Sequence, residues 1–292
     1  MNTSKPGRLG VGIIGMGHVG PALGSALRAA GHTIVAVSAF SSAAQDRADA
    51  MLPGVAVVDQ LEVVRRSELV VLAVPDDAIE PLVRGLADMK AWQPGQIVAH
   101  TSGAHGTGIL APAQACGAIP LAIHPAMTFT GTSVDVARLA GTPFGVTAPA
   151  TVLPIAQALV VEMGGEPVVI DEAARPLYHA ALAHGANHLV TLVAQAEKAL
   201  AQAGVDEPGL YLRALLEAAL DRVLRDGNLG LSGPVVRGDA GTIRSHVGAL
   251  SADSELKDVA DSYVFLARQT VWMLEQENRL SPKAVNDLLI EL

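Results

Sequence analysis

Between residues 10 and 170 the chain alternates short apolar runs with stretches whose apolar residues recur every three or four positions. Runs such as ELVVLAVP (68–75) suit strands buried on both faces, and the alternation predicts a parallel sheet flanked by helices. Strands are predicted at 10–14, 33–38, 55–58, 69–74, 96–100, 119–124, 144–147 and 167–170. Helices are predicted at 18–30, 41–51, 60–66, 78–89, 106–116 and 150–163. Past Asp171 the strand patterns cease. Helical patterns then cover 172–204, 208–226, 240–250, 254–279 and 282–291, interrupted by GNLGLSGPVVRGDAG. The expected class is α/β, a doubly wound and mostly parallel sheet (1–171) followed by an all-α domain (172–292).

The first strand runs into Gly15-Met16-Gly17-His18-Val19-Gly20, and a helical pattern follows that stops at Gly31. In a strand–turn–helix that binds a dinucleotide, Gly15 permits the tight turn and Gly17 lets the backbone approach a pyrophosphate. Gly20 lets the helix pack close to the strand. The pyrophosphate would rest on the free N–H groups and positive end of that helix. A G-x-G-x-x-G placed between a strand and a helix near the start of an alternating chain points to a Rossmann-like dinucleotide-binding domain.

Composition narrows the partners. The chain has 292 residues, half of them hydrophobic and only 3% aromatic, so its core is built from Ala, Val, Leu and Ile. A net charge of −9 argues against nucleic acid, which needs clustered Lys and Arg. One cysteine, Cys116, excludes an internal disulfide and a cysteine-rich metal site, and fits a reducing cytoplasm. The start, MNTSKPGR, lacks the apolar core of a signal peptide. Residues 177–196 carry no formal charge, yet three histidines, Asn187, Thr191 and Gln195 make them too polar for a lipid-facing span. A helix buried in a domain or in a homodimer interface is expected there, with no membrane partner.

Dinucleotide domains that prefer NAD place a carboxylate near the end of the second strand, on the ribose hydroxyls. Here no Asp or Glu occurs from Thr33 to Gln45. Ser38, Ser41, Ser42 and Arg47 instead offer donors to a 2′-phosphate, so NADP is favoured over NAD as cofactor. The serines also suit capping of the next helix, and the two roles are compatible. The missing acid counts against S-adenosylmethionine.

Ligands in such sheets bind beyond the carboxyl ends of the strands. Three ends stand out: AVPDD (73–77), AHTSG (99–103) and IHPAMTF (123–129). Val74 and Pro75 at the first of these border the expected cofactor, while Asp76 and Asp77 suit a turn and helix cap. Residues 91–134 hold no Asp, Glu, Lys or Arg, so imidazole is the ready proton carrier. His124, at a strand end before Pro125, is the first candidate for general acid or base; bonding to a neighbouring carbonyl is the competing role. Ser102 serves either to bond a substrate oxygen or the nicotinamide amide, or to cap the helix near 106. His100 and His105 read as structural. No metal-ligand spacing is found, and hydride transfer needs no metal.

The glycine motif, AVPDDAI, HTSGAHG, HPAMTF and LSGPVVRGD together resemble a family of predicted oxidoreductases that pair a Rossmann-like domain with a helical C-terminal domain of unknown function. That family is related to deazaflavin-dependent NADP reductases, ketopantoate reductases, pyrroline-carboxylate reductases and prephenate dehydrogenases. The resemblance implies a fold and a nicotinamide cofactor and leaves the substrate open. Ser102 and His124 resemble the serine and the H-P histidine of prephenate dehydrogenases. His179, Ala183 and Asn187 stand at the four-residue spacing where ketopantoate reductases carry Lys, Asn and Asn, which in a helix shares one face. Asn187 then orients a substrate oxygen, whereas His179 and Tyr178 suit either catalysis or packing. Arg237 offers either a bidentate clamp on a substrate carboxylate or an ion pair with Asp239. The expected function is NADP-dependent hydride transfer to or from a small carboxylated carbonyl, imine or hydroxyl compound. The alternatives are a sensor or scaffold that binds a dinucleotide without turnover, and hydride exchange with a deazaflavin.

Overall fold

The computed structural model describes residues 8–292, so all of MNTSKPG, read above for a signal peptide, lies outside the described residues. The chain separates into two compact units, Met1–Ala183 and His184–Leu292.

The first unit is built on one seven-stranded sheet. Its strands are β1 (Gly10–Ile14), β2 (Thr33–Ser38), β3 (Leu69–Leu72), β4 (Ile97–His100), β5 (Ile119–Pro125), β6 (Pro143–Thr147) and β7 (Glu166–Val169). They lie in the order β2-β1-β3-β4-β5-β6-β7. All neighbours are parallel except β5 and β6, which run antiparallel with His124 opposite Gly145. The carboxyl ends of β1, β3, β4 and β5 therefore share one edge, and the site is built there.

Alternating side chains feed two cores. Val11, Ile13, Val71 and Ile123 pack on one face with Leu23 and Leu27 of α1 (Val19–Ala29), Ala44 of α2 (Ser42–Met51) and Leu159 of α7 (Leu153–Glu162). Ile14, Val70, Leu72 and Val98 pack on the other with Val63 of α3 (Gln60–Arg66) and Ile79, Val83 and Leu86 of α4 (Asp76–Asp88). Continuous apolar runs thus become strands covered on both sides. Trp92 closes the second core, its indole N–H donating to the Val83 carbonyl at 3.1 Å.

Several expectations are corrected. Residues 55–58 form no strand; they contribute a single bridge, Val57 to Val37. The run is short and reaches the sheet only at the outer flank of the edge strand β2. The helix at 106–116 divides into a 3₁₀ turn, Thr107–Leu110, and α5 (Ala111–Ala115), because Pro112 can open a helix but cannot continue one. A short α6 (Val134–Arg138) was not anticipated. Pro75, not Asp76, occupies the N-cap of α4, and Asp76 and Asp77 sit in its first turn, favourable to the helix dipole.

A 3₁₀ turn, Glu172–Ala174, leads into α8 (Arg175–Leu182), still in the first unit. A π-turn, Ala183–Asn187, then breaks the four-residue spacing on which a shared face of His179, Ala183 and Asn187 rested. The second unit contains α9 (His188–Gln202), α10 (Pro208–Asp226), α11 (Ala240–Ser251), α12 (Lys257–Gln276) and α13 (Pro282–Glu291). Ile243, Val271, Val285 and Leu288 form its small core. The charge-free stretch is not buried in its own domain, since α9 has no buried residue. No helix among the described residues is long and apolar enough to cross a membrane.

Candidate functional site

The glycine turn has the form a dinucleotide requires. Gly15 has φ +103°, and a Cβ on it would overlap the Ala73 carbonyl, far inside van der Waals contact. A Cβ on Gly20 would strike the Gly15 carbonyl, so the helix start lies hard against the turn. A Cβ on Gly17 meets nothing within 4 Å, which leaves open space above the backbone. His18, the N-cap of α1, makes no side-chain cap, and no acid occupies the first turn. Free N–H donors, a positive helix end and an unfilled approach fit a pyrophosphate. Val74 flanks the turn, its Cγ1 lying 3.1 Å from a Cβ placed on Gly15. Met16 is buried, and its carbonyl accepts from Arg47 Nε at 3.1 Å, so Arg47 lies beside the turn.

Ser38 is buried at the end of β2, where its carbonyl accepts from the Gly15 N–H at 3.1 Å. Ser41 caps α2 by accepting from the Ala44 N–H at 3.2 Å, and Ser42 is exposed in the first turn. Capping is thus realised for Ser41, and the exposed hydroxyls remain accessible from solvent.

The second cluster gathers around His124. Its Nδ1 lies 2.9 Å from the Tyr178 hydroxyl, and the two rings are edge-on with centroids 5.6 Å apart. His179 meets the same imidazole at 6.1 Å, also edge-on. Gly103 makes room for both: a Cβ there would lie 2.7 Å from the His179 ring and 3.0 Å from His124 Nε2. Burial, then the Arg175 cation, lowers the His124 pKa to about 4, so its imidazole is neutral at pH 7. Ser102 is buried, and its Oγ accepts from the N–H groups of Ala104 and His105 at 3.2 and 3.3 Å. Its hydroxyl proton remains available to donate. His100 is structural: Nε2 bonds the Gly106 carbonyl at 2.8 Å and Nδ1 accepts from the Ser102 N–H at 3.2 Å.

Sequence reasoning missed two residues that hold this cluster. Arg175 is fully buried and has no carboxylate within 4 Å among the described residues. It donates to Thr147 Oγ1 (2.8 Å) and to the carbonyls of Ser102 (3.3 Å), Ala122 (3.1 Å) and Gly145 (2.9 Å). One guanidinium fork thus ties β5, β6 and the loop after β4. Glu172 accepts from the Thr107 and Gly108 N–H groups at 2.8 and 3.0 Å, clamping the far end of that loop. No local signal marks them, since the groups they bind lie 28 to 73 residues earlier in the chain.

Asn187 and Arg237 belong to the second unit, and both are exposed. Arg237 makes no ion pair within 4 Å among the described residues; Asp239 instead caps α11 through Thr242, at 3.0 Å to its N–H and 2.7 Å to its hydroxyl. No group of three or more His, Cys, Asp or Glu suited to a metal occurs among the described residues.

A doubly wound sheet with a glycine turn, followed by a helical unit, defines a two-domain Rossmann-fold protein. Residues 2–125 match the model of a Rossmann-like domain, and residues 142–270 match a domain of unknown function, DUF2520. The two matches together cover most of the chain and give it a Rossmann-like module followed by a DUF2520 module. Comparison with curated proteins finds no match. Among solved structures it is similar to an NADP oxidoreductase candidate from Bacteroides fragilis, at 19% identity and TM-score 0.73 over 90% of this chain and 98% of that one. A Thermotoga maritima protein aligns at 22% identity and TM-score 0.66, over 92% and 99%. An imine reductase from Myxococcus stipitatus, in complex with NADP+, aligns at 16% identity and TM-score 0.67, over 90% and 94%. At these identities the likeness establishes the fold.

Proposed function

We propose that the protein is an oxidoreductase dependent on a nicotinamide dinucleotide, using NADP in preference to NAD. Its substrate is a small carbonyl, imine or hydroxyl compound that carries a carboxylate. The observation that carries this reading is the shared sheet edge: the open glycine turn follows β1, and the Ser102–His124 cluster follows β4 and β5. The likeness in fold to the B. fragilis NADP oxidoreductase candidate and the M. stipitatus imine reductase supports it.

When bound, the reduced cofactor supplies a hydride. Gly15, Met16, Gly17, His18, Val19 and Gly20 hold its pyrophosphate, and Val74 and Pro75 border it. Ser41, Ser42 and Arg47 select a 2′-phosphate, since no carboxylate opposes one there, and the buried Ser38 fixes the strand end beside them through its carbonyl. Ser102 orients the reacting oxygen or nitrogen, with His179 beside it, and His124 holds the transferable proton. Asn187 and Arg237 remain candidates for substrate binding, with Arg237 matched to a carboxylate. The active form is a homodimer through the C-terminal helices, placed in the cytoplasm with its single cysteine reduced.

Calorimetric titration with NADPH and NADH tests the core of this reading. Micromolar retention of NADPH and weaker NADH binding are expected; absence of both at millimolar ligand overturns it. With NADPH and a panel of 2-oxo acids, imines and semialdehydes, absorbance reports turnover. Exchanging His124 for alanine then lowers kcat by about a hundredfold or more. Tight binding with no oxidation across the panel would instead identify a sensor.

A further inference from the structure

Tyr178 is placed by features that packing alone does not require. Its hydroxyl lies against Gly145, the residue opposite His124 in the β5–β6 pair; a Cβ there would come within 2.7 Å of the phenol oxygen. The space vacated by that side chain lets the hydroxyl reach His124 Nδ1 at 2.9 Å. On the far side of the imidazole, Gly103 keeps Nε2 open. Behind the phenol lies the Arg175 guanidinium, 5.7 Å from the ring centroid. This buried cation has no carboxylate partner within 4 Å among the described residues; neutral oxygens hold it, so its positive charge acts on the phenol and the imidazole beside it.

We propose that Tyr178 and Arg175 complete a proton relay behind His124, in which the phenol donates to Nδ1 and Nε2–H faces the substrate. The inference rests on the assignment of His124 as the acid. Tyr178 and Arg175 act through His124 and are positioning residues. In the reductive direction, hydride from the reduced cofactor reaches the carbonyl or imine carbon, and the π pair moves onto oxygen or nitrogen. That atom takes the proton from Nε2: the Nε2–H bond breaks and an O–H or N–H bond forms. Nδ1 takes the phenol proton, so the imidazole ends neutral with its tautomer exchanged. The tyrosinate left behind lies beside Arg175, and solvent restores its proton.

The polarity follows from the surroundings. The groups facing His124 are Tyr178, His179 and Arg175 from α8, His100 from β4 and Asp76 from α4. Burial and the Arg175 cation disfavour an imidazolium, so Nδ1 accepts if the phenol keeps its proton. Burial raises the phenol pKa and Arg175 draws it back, which leaves Tyr178 protonated at pH 7. Its hydroxyl has no side-chain or backbone acceptor other than Nδ1 in the hydrogen-bond network of the described residues.

Nitrogen-15 imidazole spectra of the full chain, without cofactor or substrate, read the tautomer directly. At pH 7 His124 is expected neutral, with Nε2 protonated and Nδ1 accepting. In Tyr178→Phe the imidazole loses a bond that favours its neutral form, so its titration midpoint rises by about one unit. A protonated Nδ1 in the wild type, a cationic ring at pH 7, or a midpoint that stays fixed or falls in the variant overturns the relay. If His donated to the phenol, removing the hydroxyl would lower the midpoint, so the sign decides. Failure to bind NADPH would sink the functional reading while leaving these spectra unchanged, so the two failures are distinct.

Discussion

At the residue scale, glycines do different work at neighbouring positions, and alanine substitution separates them. A Cβ on Gly17 enters open space, so Gly17→Ala leaves folding unchanged while placing a methyl where a pyrophosphate would rest. A Cβ on Gly20 runs into the Gly15 carbonyl as well as Ile13 and Ala73, so the helix must shift. Gly20→Ala therefore costs about 1–3 kcal/mol of stability, the range for overpacking. Chemical denaturation should show wild-type stability for the first variant and a loss for the second, with NADPH binding weakened at least tenfold in both. Equal stability of the two would contradict this account of the turn. These roles were legible because the motif states them through spacing. The site's other side chains divide differently. His124 and Ser102 were visible as polar residues ending apolar strands. Arg175 and Glu172 were not, because their partners lie across the fold and no local pattern marks a guanidinium that closes three backbone segments.

At the element scale, the connection from β5 to α6 is held by one carboxylate. Asp135 is fully buried and accepts from the Thr130, Gly131 and Thr132 N–H groups at 2.9, 2.8 and 3.3 Å, and from the Thr130 hydroxyl at 2.9 Å. Burial pushes its pKa up, but those bonds outweigh burial and hold it below the usual 3.8. The loop it gathers reaches the glycine turn, since a Cβ on Gly131 would lie 2.6 Å from His18 and 3.3 Å from Arg47. Asp135→Asn replaces an acceptor-only group by one that also donates and leaves N–H groups short of a partner. A loss of about 2 kcal/mol is expected. Because the folded pKa is depressed, this stabilisation is complete above pH 3.8 and is lost as pH falls through the folded value. Thermal melts from pH 7 down to 2.5 should show the variant less stable at neutral pH and converging on wild type in acid; parallel curves would refute the clip. Long periodic elements such as α10 and α13 were readable to the residue. Residues 55–58, the split helix near 112 and the π-turn were not, since each departs from a regular pattern for a local reason that periodicity does not carry.

At the scale of the whole molecule, the helical unit is under-packed by itself. α10 spans nineteen residues and buries only Leu212, while α9 buries none. Yet Leu210, Leu215, Leu220, Val223 and Leu224 are exposed along α10, Leu224 at 78%, and Val190 is 70% exposed on α9. An α-helix with apolar residues around much of its circumference needs burial, and soluble monomers rarely leave so large an apolar area in water. A second copy of the chain is the occupant that the proposed homodimer supplies for these faces. Stable interfaces of this kind bury roughly 1,200–2,000 Å² in total, within reach of two long helices from each copy. Sedimentation equilibrium at micromolar protein should therefore give twice the chain mass. Leu224→Lys, which places a cation on the most exposed of these leucines, should weaken the association at least tenfold without altering the circular dichroism of the first unit's sheet. A wild-type chain that sediments as a monomer would remove the homodimer, while the glycine turn and the His124 cluster, both within the first unit, would stand unaffected.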